Sequence, residues 1–310
     1  MNDYFIEKIK SEYDEDFLNR FGVIRKSSFR INFNAFNDAD EGMKKVNTYL
    51  IDNNIKYINP SWSNFTYIIE NTYENIIKES LLYKEGKIYF QNLSTIIPIL
   101  SYDFKENTNI LDMCSAPGGK ATLLSSIMKN KINLTLVEFK KSRYEKLLYN
   151  IDLQKTKALT INQDARNLDK FLKFDGILLD APCTGSGTID KNIDASYITK
   201  ELLDKVNKTQ KLLLDKASEI VSNNGYIIYM TCSLYNDENE EIINEFLSSN
   251  KNFKLLDLSN FKEKIIKDKF IELYNYENTK YNEYKNLMIK ILPNEYYEGF
   301  FFCILEKIKC

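Results

Sequence analysis

Two cysteines stand just after neighbouring predicted strands, in Leu178-Leu-Asp-Ala-Pro-Cys183 and in Tyr229-Met-Thr-Cys232. Ligands of open parallel sheets bind beyond the carboxyl ends of the strands, so we expect both thiols to face one crevice beside Asp180. A thiolate in such a crevice can act as a nucleophile that bonds covalently to a substrate. A lone cysteine is more often a small buried apolar residue, but two at the ligand ends of neighbouring strands favour chemistry.

The residue types restrict this chemistry, because the chain contains no histidine. A histidine base, a serine–histidine pair and a histidine-ligated metal are therefore excluded, which leaves cysteine, carboxylates, lysine and tyrosine. No two cysteines have the C-x-x-C spacing, so we expect neither a metal site nor a disulfide framework. The cysteines, which we expect to be free thiols in a reducing compartment, are Cys114, Cys183, Cys232, Cys303 and Cys310.

A glycine-rich turn between a predicted strand and a predicted helix favours a cofactor site. The Walker pattern fails, because Cys114 stands where its first glycine should be, and the dinucleotide pattern G-x-G-x-x-G fails as well. Yet Glu138 ends the next predicted strand, 20 residues after Gly118, where such folds place a carboxylate on ribose hydroxyls. A ribose-bearing ligand without pyrophosphate indicates S-adenosylmethionine; a purely structural turn is the alternative. The turn consists of Cys114, Ser115, Ala116, Pro117, Gly118, Gly119 and Lys120.

Two thiols, a carboxylate and a methyl donor together match methylation at carbon 5 of a pyrimidine. A thiolate that adds to carbon 6 makes carbon 5 nucleophilic enough to attack the sulfonium methyl group. A base must then remove the carbon 5 proton, and a paired nucleobase must first leave its stack. Asp164 follows the third predicted strand and could bond an adenine amino group, although an aspartate there is more often a cap or turn residue.

Strands and helices alternate from about residue 107 onward, which predicts an α/β fold with a parallel sheet covered by helices on both faces. The predicted strands cover residues 109–113, 133–139, 158–162, 175–180 and 225–231. The predicted helices between them cover residues 120–129, 141–153 and 199–222. Further on, we predict a helix over residues 238–247, strands over 253–258 and 300–305, and an insertion or extended loop over 262–297.

The N-terminal part has the pattern of a small mixed unit, with a helix predicted over residues 40–53 and strands over 29–33 and 67–69. We therefore expect two domains, residues 1–85 and residues 86–310. This part also holds a basic cluster without an intervening acid, for which a solvated charged face is the alternative to a nucleic-acid contact. The cluster consists of Arg20, Arg25, Lys26 and Arg30.

Net charge and hydropathy exclude several classes of protein. A net charge of −2 argues against an indiscriminate nucleic-acid coat protein, which would be basic overall. No apolar run reaches the roughly 18 residues of a membrane span. The acidic N-terminus has no apolar segment of the kind that secretory signals contain. We therefore expect an intracellular, cytoplasmic protein.

Three motifs together resemble one family, the Sun/RsmB-type (NSUN-like) RNA cytosine-5 methyltransferases. They are Asp112–Lys120, Asp180-Ala-Pro-Cys183, and Thr231-Cys232-Ser233 with Glu238-Asn-Glu240. The resemblance implies a Rossmann-like S-adenosylmethionine-dependent methyltransferase sheet with a small N-terminal RRM-like α+β domain. It implies that Cys232 is the nucleophile, that Cys183 assists product release, and that Asp180 contacts the cytosine. The residues alone leave the nucleophile open, since DNA cytosine-5 methyltransferases use the cysteine of a Pro-Cys motif, here Cys183.

The resemblance also implies a cofactor and a partner. S-adenosylmethionine would be bound by residues 114–120 together with Glu138, Asp164 and Asp180. We see no PUA-like or NusB-like domain, so the N-terminal unit, with its basic cluster, is expected to supply most RNA contacts. The expected substrate is RNA, ribosomal RNA ahead of transfer RNA, and the expected state is a monomer without metal. A transfer-RNA enzyme, a DNA cytosine-5 enzyme and a non-catalytic RNA-binding assembly factor are the alternatives.

Overall fold

The computed structural model describes residues 1–308 and divides the chain into two compact units. The first unit comprises Met1–Arg25, Ala165–Ile266 and the chain from Ile271 onward, and the second comprises Lys26–Asp164 with Lys267–Phe270. The helices are α1 (Asp3–Glu12), α2 (Ala39–Asp52), α3 (Glu74–Glu79), α4 (Leu81–Lys84), α5 (Leu93–Leu100), α6 (Gly119–Ile127), α7 (Lys141–Leu153), α8 (Lys200–Ile220), α9 (Glu240–Ser249) and α10 (Ser259–Ile265). The strands are β1 (Ser27–Ile31), β2 (Tyr57–Ile58), β3 (Thr66–Ile69), β4 (Ile88–Phe90), β5 (Asn109–Asp112), β6 (Asn133–Val137), β7 (Ala158–Ile161), β8 (Phe174–Asp180), β9 (Val221–Thr231), β10 (Phe253–Leu255), β11 (Met288–Ile291) and β12 (Phe300–Lys307).

The second unit contains an antiparallel sheet and a group of parallel strands. The antiparallel sheet has the order β2-β3-β1-β4, and Phe29 of β1 lies opposite Tyr67 of β3 and Phe90 of β4. The Phe29 and Tyr67 rings stack with their centroids 5.0 Å apart, which places an aromatic pair in this core. Parallel pairing joins β5 to β6 and β6 to β7. The strands and helices predicted for this part of the chain are confirmed.

The first unit is built on the parallel pair β8 and β9, with Asp180 opposite Met230 at their carboxyl ends. Strand β12 runs antiparallel to β9, and β10 and β11 run antiparallel to β12. The predicted strands over residues 253–258 and 300–305 are thus present, and they run antiparallel to their neighbours. Helix α8 begins where the Thr199 side chain accepts a hydrogen bond from the Leu202 amide, and its apolar stripe is buried.

The N-terminal residues belong to two different units. In the first unit, Phe5 and Ile9 of α1 are fully buried in a cluster with Ile198 and Leu234. The chain enters the second unit at Lys26, directly before β1. The predicted domain of residues 1–85 therefore includes residues of both units, and its likeness to an RRM stays a prediction.

The expected loop over residues 262–297 contains a strand, β11, so that expectation is wrong there. The strand was missed because Lys290 interrupts an otherwise apolar run. In the structure Lys290 is fully buried, and its Nζ lies 2.8 Å from a carboxylate oxygen of Glu240. Tyr276 donates a second hydrogen bond to the same carboxylate, 2.6 Å long, so the buried charges are paired. Among residues 1–308, no helix has the length and apolar character needed to cross a membrane.

Candidate active site

The two cysteines that follow β8 and β9 are in direct contact. Their sulfur atoms, Cys183 Sγ and Cys232 Sγ, are 3.0 Å apart, and both residues are half-buried free thiols. The contact follows from the parallel pairing of β8 with β9, because both strands end at the same edge. The expectation that these thiols lie together is confirmed. Cys114 and Cys303 are also free thiols, whereas Cys310 lies outside the described residues.

The surroundings of Cys183 disfavour its ionised form. The hydrogen bond to Cys232, burial, and then the negative charges of Glu238 and Asp180 raise the pKa of the Cys183 thiol well above its usual range. Since the thiolate is the nucleophilic form of a cysteine, these surroundings disfavour Cys183 as an attacking group.

Two glycines let the loops after β8 and β9 approach closely. The Gly187 amide donates a 3.0 Å hydrogen bond to the Cys232 carbonyl, and Gly299 donates one of 2.9 Å to the Gly187 carbonyl. A Cβ atom on Gly187 would lie 2.0 Å from the Gly299 carbonyl oxygen, so a larger residue does not fit. The cysteine pair thus depends on close backbone packing as well as on its own side chains.

Arg25 holds the loop that follows Cys183. Its guanidinium donates to the carbonyl oxygens of Thr188 and Ile189 at 2.7 and 2.6 Å, and it lies 3.6 Å from a carboxylate oxygen of Asp190. The side chain is only 7% exposed. Arg25 therefore stabilises a loop of the protein in this structure. The sequence did not reveal this role, because an arginine in a basic cluster resembles a surface residue.

The predicted cofactor turn of the second unit is tightly fixed between β5 and β6. Ser115 Oγ donates a 2.8 Å hydrogen bond to the Asp112 carbonyl and accepts one of 3.1 Å from the Val137 amide. Gly118 precedes α6 with a φ of 107°, a left-handed conformation that favours glycine. The turn therefore leads directly into the N-terminus of α6, where backbone N–H groups attract negative groups.

Glu138 is connected to this turn by an arginine. Its side chain is almost fully buried and accepts a 2.8 Å hydrogen bond from the Lys140 amide. Arg143 lies 3.7 Å from the Glu138 carboxylate and donates a hydrogen bond to the Ala116 carbonyl in the turn. Asp164 follows β7, also in the second unit, whereas Asp180 ends β8 in the first. A carboxylate at the end of β6 beside a glycine-rich turn suits a ligand with ribose hydroxyls.

Arg30 of the basic cluster is fully buried against helix α6. Its guanidinium donates to Gln91 Oε1 at 2.7 Å, to Thr122 Oγ1 at 2.8 Å and to the Gly119 carbonyl at 3.1 Å. No carboxylate accepts these hydrogen bonds, and burial lowers the pKa of Arg30 to about 9. The side chain therefore fixes the first turn of the helix that follows the predicted cofactor turn.

We expect Arg30→Ala to lower the free energy of unfolding by about 3 kcal/mol, because buried acceptors on Gln91 and Gly119 lose their donor. Lys26→Ala is the matched control, since Lys26 forms an ion pair with Glu70 at the surface. This variant should lower the free energy of unfolding by about 0.5 kcal/mol. Denaturant titration measures both values. An equal loss of unfolding free energy in the two variants would contradict the structural role of Arg30.

The basic cluster as a whole is engaged in contacts within the protein. Arg20 donates to Glu272 at 2.6 Å, and Lys26 pairs with Glu70 at 2.7 Å. Arg25 and Arg30 are buried, as described above, so they do not present their charge to solvent. RNA contact by these four residues stays a prediction, and Arg30 is its weakest candidate. Within residues 1–308, no group of three potential metal ligands is found.

Comparison with known proteins identifies the family. A family model described as 16S rRNA methyltransferase RsmB/F matches residues 99–306, which is more than half of the chain and includes both paired cysteines. The chain belongs to the RsmB/F family. The resemblance expected from the three motifs is confirmed. The fold is a mixed α/β, Rossmann-like methyltransferase fold.

Sequence relatives of this RsmB/F protein come from bacteria and humans, and a solved structure of the same fold comes from Pyrococcus horikoshii. Ribosomal RNA small subunit methyltransferase F of Aliivibrio salmonicida is 35% identical over 201 residues, covering 61% of this chain and 42% of that protein. The human 28S rRNA (cytosine(4447)-C(5))-methyltransferase is 30% identical over 181 residues, covering 56% of this chain and 22% of its own length. The chain spans less than half the length of these two relatives. NSun6 from Pyrococcus horikoshii, in a structure with SFG, has the same fold, with a TM-score of 0.81, 17% identity and coverage of 100% and 99%.

Proposed function

We propose that this RsmB/F protein transfers a methyl group from S-adenosylmethionine to carbon 5 of a cytosine in RNA, with ribosomal RNA as the substrate class. The observation that carries the proposal is the contact between Cys183 and Cys232 at the ends of two parallel strands. Membership of the family and the human relative, which is named a cytosine-C5 methyltransferase, support it. We further propose that the chain acts as a monomer in the cytoplasm.

The residues of the second unit fit the methyl donor. The left-handed Gly118, the helix start behind it and the buried Glu138 suit a ligand with a ribose, and Asp164 suits an adenine amino group. When bound, S-adenosylmethionine supplies an electrophilic methyl group. We propose that residues 114–120, Glu138, Asp164 and Asp180 hold it.

The cysteines would divide the reaction between them. The Cys232 thiolate forms a bond to carbon 6 of the cytosine, which makes carbon 5 nucleophilic toward the methyl group. Asp180 holds ring nitrogen 3 and so assists this addition. After methyl transfer, Cys183 assists removal of the carbon 5 proton, and the bond from Cys232 to carbon 6 then breaks to restore the ring. Once Cys232 is bonded to carbon, it no longer receives the hydrogen bond that contributes most to the raised pKa of Cys183.

Methyl transfer with tritium-labelled S-adenosylmethionine tests this function. Total RNA, isolated ribosomal subunits and DNA would be offered separately, and the labelled nucleoside would be identified by chromatography. We expect label in RNA, recovered as 5-methylcytidine. Label in DNA alone, label at another position, or no label in any substrate would contradict the proposal.

A further inference from the structure

A buried carboxylate, Glu238, contacts the residues that follow both cysteines and has no part in the reaction steps above. Glu238 ends a short helical turn that follows β9, and its side chain is fully buried. One of its oxygens, Oε1, accepts hydrogen bonds from the Thr184 amide at 2.8 Å and from Gln210 Nε2 at 3.1 Å. The other, Oε2, accepts from Thr184 Oγ1 at 2.5 Å and from Ser233 Oγ.

Two of the three residues that donate to Glu238 are the immediate chain neighbours of the cysteines. Thr184 follows Cys183 in the chain, and Ser233 follows Cys232. One carboxylate therefore joins the two loops that carry the cysteines. Further bonds join the same loops, because Ser186 Oγ lies 3.0 Å from Ser233 Oγ and accepts from the Leu234 amide at 2.9 Å.

The hydrogen bonds also indicate the charge of Glu238. Each carboxylate oxygen lies within hydrogen-bonding distance of two donors, an arrangement that suits the ionised form. Burial raises the pKa of Glu238, and the bonds from Ser233 and Thr184 oppose that rise. None of these donors carries a positive charge, so the negative charge is not neutralised by its hydrogen-bonding partners. It acts on Cys183, where the thiolate form is disfavoured.

Other titratable groups also lie near the pair. Asp180 disfavours a thiolate on Cys183, as Glu238 does, and Glu238 in addition accepts hydrogen bonds from both loops. Burial is the largest cause of the raised pKa of Tyr197, and the charges of Cys232 and Cys183 add to it. The Tyr229 hydroxyl donates to the Glu238 carbonyl at 2.7 Å, and burial is the largest cause of the raised pKa of Tyr229.

We propose that Glu238 is the positioning residue of the cysteine pair: it fixes both loops in sulfur contact, and its negative charge holds the proton on Cys183, which leaves Cys232 as the attacking thiol. The inference deepens the proposed function and rests on it for the use made of the thiolate. It also supplies what the sequence could not, a physical reason why one of the two cysteines is the nucleophile.

Alkylation by limiting iodoacetamide tests the proposal without RNA or cofactor. Peptide mass spectrometry would give the rates at Cys183 and Cys232 over a pH series, in the wild type, Glu238→Gln and Glu238→Asp. Glu241→Gln is the matched control, because Glu241 is a partly exposed carboxylate paired with Lys280. Thermal melting of each variant would establish that it is folded.

We expect the wild type and the control to be alkylated first at Cys232. In Glu238→Gln the ratio of Cys232 to Cys183 labelling should fall about tenfold, which corresponds to one pKa unit, and the Cys183 profile should move to lower pH. Glu238→Asp should keep the preference for Cys232 because it keeps the charge, while its methyl transfer slows because the shorter side chain loosens the loops.

Three results would overturn the proposal. The first is an unchanged labelling ratio in folded Glu238→Gln. The second is an equal rise of both rates without a shift in pH profile, which would mean loosened loops alone. The third is equal labelling of Cys183 and Cys232 in Glu238→Asp. This variant also tests the proposal if Glu238→Gln does not fold. A wild type that alkylates at Cys232 yet forms no 5-methylcytidine would contradict the proposed function and leave the inference about Glu238 standing.

Discussion

Cys232→Ala is expected to lose methyl transfer to RNA by at least about a thousandfold. The variant lacks the sulfur that bonds to carbon 6, and without that bond carbon 5 is a poor nucleophile. The initial rate of tritium transfer from labelled S-adenosylmethionine into RNA measures the loss. The loss should appear in the rate constant for methyl transfer at saturating RNA, since the proposed role is chemical.

Cys303→Ala is the matched control for this loss. Cys303 is a fully buried thiol on β12 and lies outside the cysteine pair. Its replacement removes one sulfur from the first unit, as Cys232→Ala does, and should leave transfer within a few-fold of the wild type. Substantial transfer by Cys232→Ala, with none by Cys183→Ala, would assign the nucleophile to Cys183 instead.

Cys183→Ala should stop turnover at a later step and leave the protein bonded to RNA. Cys232 can still add to carbon 6 in this variant, but the thiol that assists removal of the carbon 5 proton is missing. The covalent complex should therefore accumulate. A denaturing gel would show it as a slowly migrating band that disappears on treatment with ribonuclease.

The double variant Cys183→Ala/Cys232→Ala is the control for that band. It should form no complex, because both sulfur atoms of the 3.0 Å contact are absent. A band that persists in the double variant would place the bond elsewhere. The absence of any band in Cys183→Ala would show that this thiol is not needed for release.

The sequence predicted the central strands and their order along the chain well. Short runs of isoleucine, leucine and valine alternate with amphipathic segments, and β5, β6, β7 and β8 lie where these runs predict them. The contact of Cys183 with Cys232 followed from the same pattern, because strands that run parallel end at the same edge. Local composition was sufficient for these features.

The sequence did not reveal which charged side chains are buried. Arg25 and Arg30 were assigned to a basic cluster. In the structure Arg25 donates to a carbonyl in the loop after Cys183, and Arg30 donates to a carbonyl in the first turn of α6. Lys290 interrupted the apolar pattern of β11 because its partner, Glu240, lies 50 residues earlier in the chain. Pairs of this kind depend on tertiary contacts, which no local pattern reports.

Which of the two cysteines is the nucleophile also depends on tertiary contacts that the local sequence does not show. Nothing in the residues around Cys183 and Cys232 distinguishes a nucleophile from its partner without the resemblance to a family. The distinction arises from Glu238, which is quoted in a motif but acquires a role only through its bonds to Thr184 and Ser233.

The identity of the cysteine that bonds to the base is the most direct test of this mechanism. An RNA substrate carrying 5-fluorocytosine would be incubated with the wild-type protein and S-adenosylmethionine, because fluorine at carbon 5 cannot leave as a proton does and the covalent complex persists. Digestion and mass spectrometry would then locate the attached nucleotide. We predict attachment to Cys232; attachment to Cys183, or to neither cysteine while 5-methylcytidine still forms on normal RNA, would contradict the mechanism.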